Sequence, residues 1–456
     1  MRVLTLMNSA WDGRSGMCAT FESFLSEIPE LSCACIECGC GVPESGVVSE
    51  HFQISELTLI KNIKNKSLPS GALYNGQNAS VRDSVQTRRF DFARKVRLQV
   101  FFWARDLIWK IGRWNSPELK KFIDDFSPDV FFAPVFSLNY LCDVTLKTAK
   151  ECGAPLALYI GDDIYTCKKL RFSPLFWLDH LVFKRPKIRA LIKRAEYIYV
   201  ASEAQKAEYE RIFKKECKVV IRRADFSAEP IIKEPGAPLA FLYAGNLYAD
   251  RYKSIGALSR AIERVNEETG GGASLTVYTG TPLTEKMRKV ISGKYTAVGG
   301  SVSRGEVMRA QEEADVLVCA EAMTLGGALT VRHSVSTKTT DLLLAAKCIL
   351  AIGRSFVSQI EFFRRDDSAV IATDEEELYN AVKTLVQDRE KVKLYAKKAY
   401  ECGRRRCDIS GGGVFARDFK KSSQDFKNSE QDFKKSSRDF KNSEQDFKKS
   451  SRNFKN

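Results

Sequence analysis

Histidine is scarce in this chain of 456 residues: with only His51, His180 and His333, a histidine-rich metal centre is excluded. Long apolar runs are missing as well. No stretch approaches the roughly 18 uncharged apolar residues of a membrane-spanning helix, and Met1 to Asn8 is too short and poorly flanked for a secretory signal. A soluble cytoplasmic protein is the expectation. Thirteen cysteines, an odd number, then read as reduced thiols rather than a disulfide framework. Acidic residues are in deficit: 57 Asp and Glu against 72 Lys and Arg leave a formal charge of +15, which asks for an anionic partner. That excess is concentrated. Residues 82–121 carry eleven basic residues against four acids, and residues 168–194 nine against one, so +7 and +8 together equal the whole excess.

What is abundant is apolar: 44% of the residues, enough for a packed core, in a length that implies two or three domains. The opening run Met1 to Met7 is followed by Gly13-Arg-Ser-Gly16 and a helix-like stretch from Cys18 to Ile28, which predicts strand, glycine-bearing loop and helix. Strand-like runs at Val130 to Phe132, Leu156 to Ile160, Tyr197 to Val200 and Val219 to Ile221 alternate with helical patterns, the signature of a parallel α/β sheet. Residues 229–238 supply a proline-rich linker. A second α/β series follows, with strands expected at Leu239 to Tyr243, Leu275 to Tyr278, Tyr295 to Val298, Val316 to Cys319, Cys348 to Ile352 and Ala369 to Ile371. The predicted fold is two tandem Rossmann-like, doubly wound domains (1–228 and 239–385) facing a cleft, with a closing helix at 386–412.

Residues 413–456 form a tail in which heptads beginning at Asp418 each carry one large apolar residue, Phe419, Phe426, Phe433, Phe440, Phe447 or Phe454. A coiled coil wants apolar residues at two heptad positions, so the array from Asp418 to Asn456, of net charge +4, is expected to be a disordered or weakly helical tail; self-association through the phenylalanine stripe stays open.

Advancing about 100° per residue from Arg97, an arc of Val100, Phe101, Trp103, Ala104, Leu107, Ile108, Ile111 and Trp114 opposes an arc of Gln99, Arg105, Asp106, Lys110 and Arg113 that also holds Phe102 and Trp109. The first arc is expected to face the core. The second (Phe102, Arg105, Trp109, Arg113) is expected to press on an anionic membrane surface. Leu170 to Lys187 repeats the mixture of aromatic and basic residues. Nucleic acid would also suit such a surface, but no recognition motif supports it, and none is expected as a partner.

Phe241-Leu-Tyr-Ala-Gly-Asn-Leu-Tyr-Ala-Asp-Arg-Tyr-Lys-Ser254 is a strand ending in Gly245 and entering a helix with Arg251 and Lys253 near its start, a pattern suited to a diphosphate. Later, His333-Ser-Val-Ser-Thr-Lys338 is a hydroxyl-rich loop that enters a helix and then a buried strand. With Ala244-Gly-Asn-Leu247, Lys253-Ser254, Ala314-Asp-Val-Leu-Val318 and above all Ser336-Thr-Lys-Thr-Thr-Asp-Leu-Leu-Leu-Ala-Ala346, residues 1–410 resemble the retaining glycosyltransferases of the GT-B fold, family 4-like, which build bacterial capsular and surface polysaccharides. Tyr159-Ile-Gly-Asp-Asp-Ile-Tyr165 and Lys193 to Glu203 are similar in the first half.

The resemblance implies a nucleotide-sugar donor and a glycan or lipid-linked acceptor; the basic and aromatic segments add the expectation that the chain is peripheral on the cytoplasmic face of the inner membrane. It implies donor contacts from Gly245, Asn246, Arg251, Lys253, Ser336, Thr337, Lys338 and Asp341, and acceptor contacts from Gly13, Arg14 and Gly16. The family usually carries two glutamates separated by seven residues; Asp341 fits the second, and His333 stands at the first, a departure from the pattern. Asp162, Asp163 and His333 are the candidate catalytic groups, with a turn or capping role equally open for the two aspartates. No Asp-x-Asp triplet occurs, so cations are expected to replace a metal at the diphosphate, and no cofactor is expected. Cys33-Ala-Cys-Ile-Glu-Cys-Gly-Cys40 has a spacing able to chelate a soft metal, but alternating cysteines in a strand would simply share one face. Two rivals stay open: a sugar-nucleotide epimerase on the same fold, and a non-catalytic partner protein.

Overall fold

The computed structural model describes residues 1–12, 16–76, 99–409 and 413–424. Strands β1 (Arg2–Met7), β2 (Ser32–Glu37), β3 (Glu50–Ile54), β4 (Gly71–Leu73), β5 (Val130–Pro134), β6 (Leu156–Ile160), β7 (Tyr197–Val200) and β8 (Lys218–Val219) form one sheet in the order β4-β3-β2-β1-β5-β6-β7-β8. Every pairing is parallel except β3 with β4. A second, wholly parallel sheet joins β9 (Leu239–Ala244), β10 (Ala273–Tyr278), β11 (Thr296–Gly299), β12 (Val316–Ala320), β13 (Cys348–Ile352) and β14 (Val370–Ala372) in the order β11-β10-β9-β12-β13-β14. Strands β5 and β13 are buried at every position, as expected where helices cover both faces and no apolar/polar alternation is needed.

In each sheet the strand order reverses at one place, between β1 and β5 and between β9 and β12. A crevice opens there beyond the carboxyl ends of the strands, the usual ligand position in such sheets. The loop after β1 and the turn at Gly245 therefore occupy equivalent places in the two domains.

Two sequence expectations change. The first concerns helix Gln99–Ile111, which is turned the other way. Trp109 is buried, stacked on Tyr140 with ring centroids 4.5 Å apart, and donates Nε1–H to Glu56 Oε1 at 3.1 Å. Arg105 pairs with the same Glu56 carboxylate and lies over the Tyr140 ring. Phe102 is half-buried, and only Arg113 of the expected membrane-facing set is exposed. Much of the supposed inner arc is outside instead, with Val100, Phe101, Leu107 and Ile111 exposed, while Trp103 and Ile108 are half-buried and Trp114, just beyond the helix, is buried as expected. The reason is tertiary: Glu56, Asn139 and the Tyr140 amide offer partners that draw Arg105, Asp106 and the Trp109 indole inward.

The second change concerns the tail. Residues 414–424, which include the first heptad, are helical and pack on the N-terminal sheet. Phe415 and Phe419 are buried among Phe24, Phe132 and Tyr199. Asp418 accepts the Tyr199 hydroxyl at 2.8 Å and pairs with Lys218 at 2.6 Å. Phe415 and Phe419 lie four residues apart, one turn of a helix, so together they form the two-residue stripe that the single-Phe heptads lack. The remaining heptads lie outside the described residues.

Candidate functional site: the interdomain cleft

Strand β9 runs out at Ala244, and Gly245 follows beneath the Tyr243 phenol; a Cβ at Gly245 would stand 2.7 Å from Tyr243 Oη, so a larger residue there would displace the buried ring. The chain then turns through Ala249 and Asp250, both with positive φ, into helix Arg251–Thr269. Arg251 does not point freely into the cleft. It makes two hydrogen bonds of 2.9 Å to the buried Glu321 carboxylate at the end of β12, and a third, of 2.8 Å, holds the Asn246 amide oxygen. Arg251 thus positions Asn246, while Lys253 is half-exposed and paired with Asp250 at 3.2 Å.

The hydroxyl-rich loop comes to the same strand end. Buried Gln359 pins it, accepting the Ser336 amide at 2.7 Å and the Thr339 hydroxyl at 2.9 Å. Lys338 then reaches over β9, its ammonium donating to the Ala244 carbonyl at 2.9 Å, and burial lowers its affinity for a proton. Asp341, one turn on, accepts from Arg222 at 2.7 Å. Across the cleft, helix Gly16–Leu25 of the first domain begins so close that a Cβ on Gly16 would lie 3.0 Å from Thr337 Oγ1. Gly13 and Arg14 lie outside the described residues.

Beside this, the loop after β6 meets the segment before Ser336. Asp163 is buried and accepts from the Thr166 hydroxyl, the Cys167 amide at 3.0 Å and Arg332 Nε at 2.7 Å. Burial alone would raise its pKa, but these donors outweigh it and bring it down to about 2. Arg332 also grips Glu208, which projects from helix Glu203–Phe213. Glu208 in turn holds His333, with 2.6 Å between Oε2 and Nε2. Burial keeps the His333 pKa below its ordinary value, so the ring is neutral at pH 7; with Nε2–H directed at the carboxylate, Nδ1 is left as a bare acceptor, buried and without a hydrogen-bond partner. Asp162, exposed, accepts the Ser334 hydroxyl, and its charge is felt by Glu321 on the donor side.

The structure therefore brings Asp162, Asp163 and His333 into one interdomain cluster, and Gly245, Asn246, Lys253, Ser336, Thr337 and Lys338 to one strand end. Arg332 and Glu208 complete the cluster without having been singled out in the sequence. Glu208 carries no local signal, since it sits among polar residues of an amphipathic helix; Arg332 adjoins His333 but lies before the recognisable loop. The clustered cysteines do not converge: Cys33 and Cys35 pack on one side of the sheet and Cys38 on the other. Among the described residues no three His, Cys, Asp or Glu side chains are placed to hold a metal ion.

No protein-family model matches the chain, and no curated protein matches it. Solved structures do. HepE of Anabaena, in complex with UDP and glucose, aligns with a TM-score of 0.56 over 92% of this chain and 100% of its own, at 11% identity. Sucrose-phosphate synthase of Thermosynechococcus elongatus aligns at 0.57, covering 92% and 98%, with 10% identity. The α,α-trehalose 6-phosphate synthase of Burkholderia multivorans aligns at 0.55, covering 94% and 98%, also with 10% identity. The fold is GT-B. At such identities the likeness is one of architecture.

Proposed function

We propose that the protein transfers a sugar from a nucleotide-sugar donor to a glycan or lipid-linked acceptor in surface polysaccharide synthesis, retaining the anomeric configuration, at the cytoplasmic face of a membrane. One observation carries the reading: the Lys338 ammonium is anchored on the Ala244 carbonyl beside Gly245, while the adjacent Thr337 stands against Gly16 of the first domain. Departure of a nucleoside diphosphate develops negative charge on its β-phosphate. An ammonium already held at that point stabilises the charge with little reorganisation. Lys253 adds a second cation, and Asn246, oriented by Arg251, offers a neutral donor.

Asp341 meets the ribose in the resembling family, and here it would do so by exchanging Arg222 for hydroxyl groups. His333 stands where the family places a sugar-contacting carboxylate, but its ring is buried and held by Glu208, so its part is to tie the two walls of the cleft together beside the sugar rather than to touch it. On the acceptor side Asp162 is the available carboxylate, because its neighbour is occupied on both oxygens. A transfer on one face of the sugar requires no protein nucleophile, and none is assigned. HepE has been crystallised with UDP-glucose, so uridine donors are the first to test.

The test is a thermal-shift screen of the full chain against UDP, GDP, CDP, ADP and their sugar conjugates, without added metal. A ligand at about 100 times its Kd stabilises by about 2.7 kcal/mol. Stabilisation by one base, lost together with turnover in a folded Lys338→Ala variant, supports the proposal. The rival reading, a non-catalytic partner protein, is favoured by His333 standing where a carboxylate belongs; it predicts no shift with any nucleotide and no effect of Lys338→Ala on partner binding.

A further inference from the structure

The segment from Lys168 to Arg194 contains one acid, Asp179, and that acid is turned inward. It accepts from the Trp103 indole at 2.9 Å and from Asn139 at 2.8 Å, and pairs with Lys184 at 3.1 Å. Everything the segment shows to solvent is therefore basic or apolar. Helix Pro174–Leu178 and the π-helical turn Asp179–Lys184 expose Leu175, Leu178, Leu181, Val182 and Phe183, and Phe172 ahead of them is fully exposed. Phe183 meets Trp103 edge to face at 6.4 Å, which joins this surface to the outward face of helix Gln99–Ile111, with Leu107 and Ile111. Around the apolar tips stand Lys168, Arg171, Lys110 and Arg113, all exposed.

An apolar area of this extent on one side of a domain marks a partner, and the surrounding charge selects which. Other parts of the chain have the wrong sign. Residues 77–98 carry six Lys and Arg against two acids, residues 425–456 nine against six, and a second copy carries +15. The protruding side chains are chiefly branched aliphatics, which suit acyl chains better than the faces of nucleobases.

We propose that these two elements form the surface by which the protein lies on an anionic bilayer, with Phe172, Leu181 and Val182 inserted below the headgroups and the flanking cations among them. The membrane-facing side of helix Gln99–Ile111 is thus its apolar arc. The surface borders the cleft: Leu170, in the same loop that begins at Asp162 and Asp163, comes near enough to the second domain that a Cβ on Gly326 would lie 3.9 Å from its Cδ1. Resting on the transferase reading, this places the head of a lipid-linked acceptor at the cleft mouth while its tail stays in the membrane.

The experiment is co-sedimentation of the full chain with phosphatidylcholine vesicles, with and without phosphatidylglycerol. Binding is expected only with the anionic lipid. The double variant Leu181→Ser with Val182→Ser should lower partitioning by about tenfold or more, and Arg171→Glu by about fivefold or more, with the melting transition unchanged. Inorganic phosphate at matched ionic strength should not compete. Equal binding of parent and variants, no binding to anionic vesicles, or displacement by a single-stranded oligonucleotide would overturn the proposal. Since vesicle binding requires no donor, a chain that binds through these residues yet transfers no sugar would sink the transferase reading and leave the surface standing.

Discussion

Asp162 and Asp163 are chain neighbours with opposite surroundings. Asp163 is consumed by structure: it caps the loop to Lys168 and anchors Arg332 of the other domain. Its folded pKa of about 2 lies below the ordinary 3.8, so it contributes stability that is fully present above the ordinary value and lost as pH falls toward 2, about 2 kcal/mol in all. Asp163→Asn should cost about 3 kcal/mol, since it leaves Arg332 partly uncompensated, and should flatten the acid limb of a denaturant-unfolding profile measured against pH. An unchanged acid limb would show that another carboxylate governs it. His333 works in the same sense near neutrality: its folded pKa is depressed, so the unfolded chain takes up a proton first as pH falls below about 6.5, and stability declines there. NMR titration of the ring should find it neutral at that pH.

Among the elements, helix Gln99–Ile111 and residues 414–424 separate what periodicity can reveal from what it cannot. Both have an apolar stripe, and in each case the neighbours decide where the stripe goes. Trp109→Ala should destabilise by about 3–5 kcal/mol, whereas Leu107→Ala should stay within about 0.5 kcal/mol of the parent in denaturant unfolding. The reverse order would restore the face expected from the helical wheel. Phe419→Ala should likewise cost about 3 kcal/mol, because the ring fills a fully buried site against Phe132 and Phe415. A loss below about 0.5 kcal/mol would mean that the segment is only a tail.

For the molecule as a whole, the two domains are joined by more than their linker. Arg332 and His333 of one grip Asp163 and Glu208 of the other, Arg222 reaches Asp341, and Gly16 comes up against Thr337. Gly16→Val should wedge this contact apart. The expected result is a larger radius of gyration in small-angle scattering and at least tenfold weaker donor binding, about 1.4 kcal/mol, with each domain still folding. A variant of unchanged dimensions and affinity would show that the domains do not close at this point.

The sequence by itself determined the sheets, most strand positions and the glycine-bearing turns, because those follow from local periodicity and from backbone conformations that few residues adopt. Gly245 and the run Ser336 to Lys338 were legible as the junctions of a strand or loop with a helix, and the concentration of charge in residues 82–121 and 168–194 is a matter of composition. Only the tertiary structure decided which face of helix Gln99–Ile111 is buried, that Arg251 is committed to Glu321, and that Glu208 orients His333. Each of those depends on a partner between 49 and 125 residues away. A buried charge goes where its counter-charge lies, and that position is set by how the domains pack rather than by the spacing of residues along the chain.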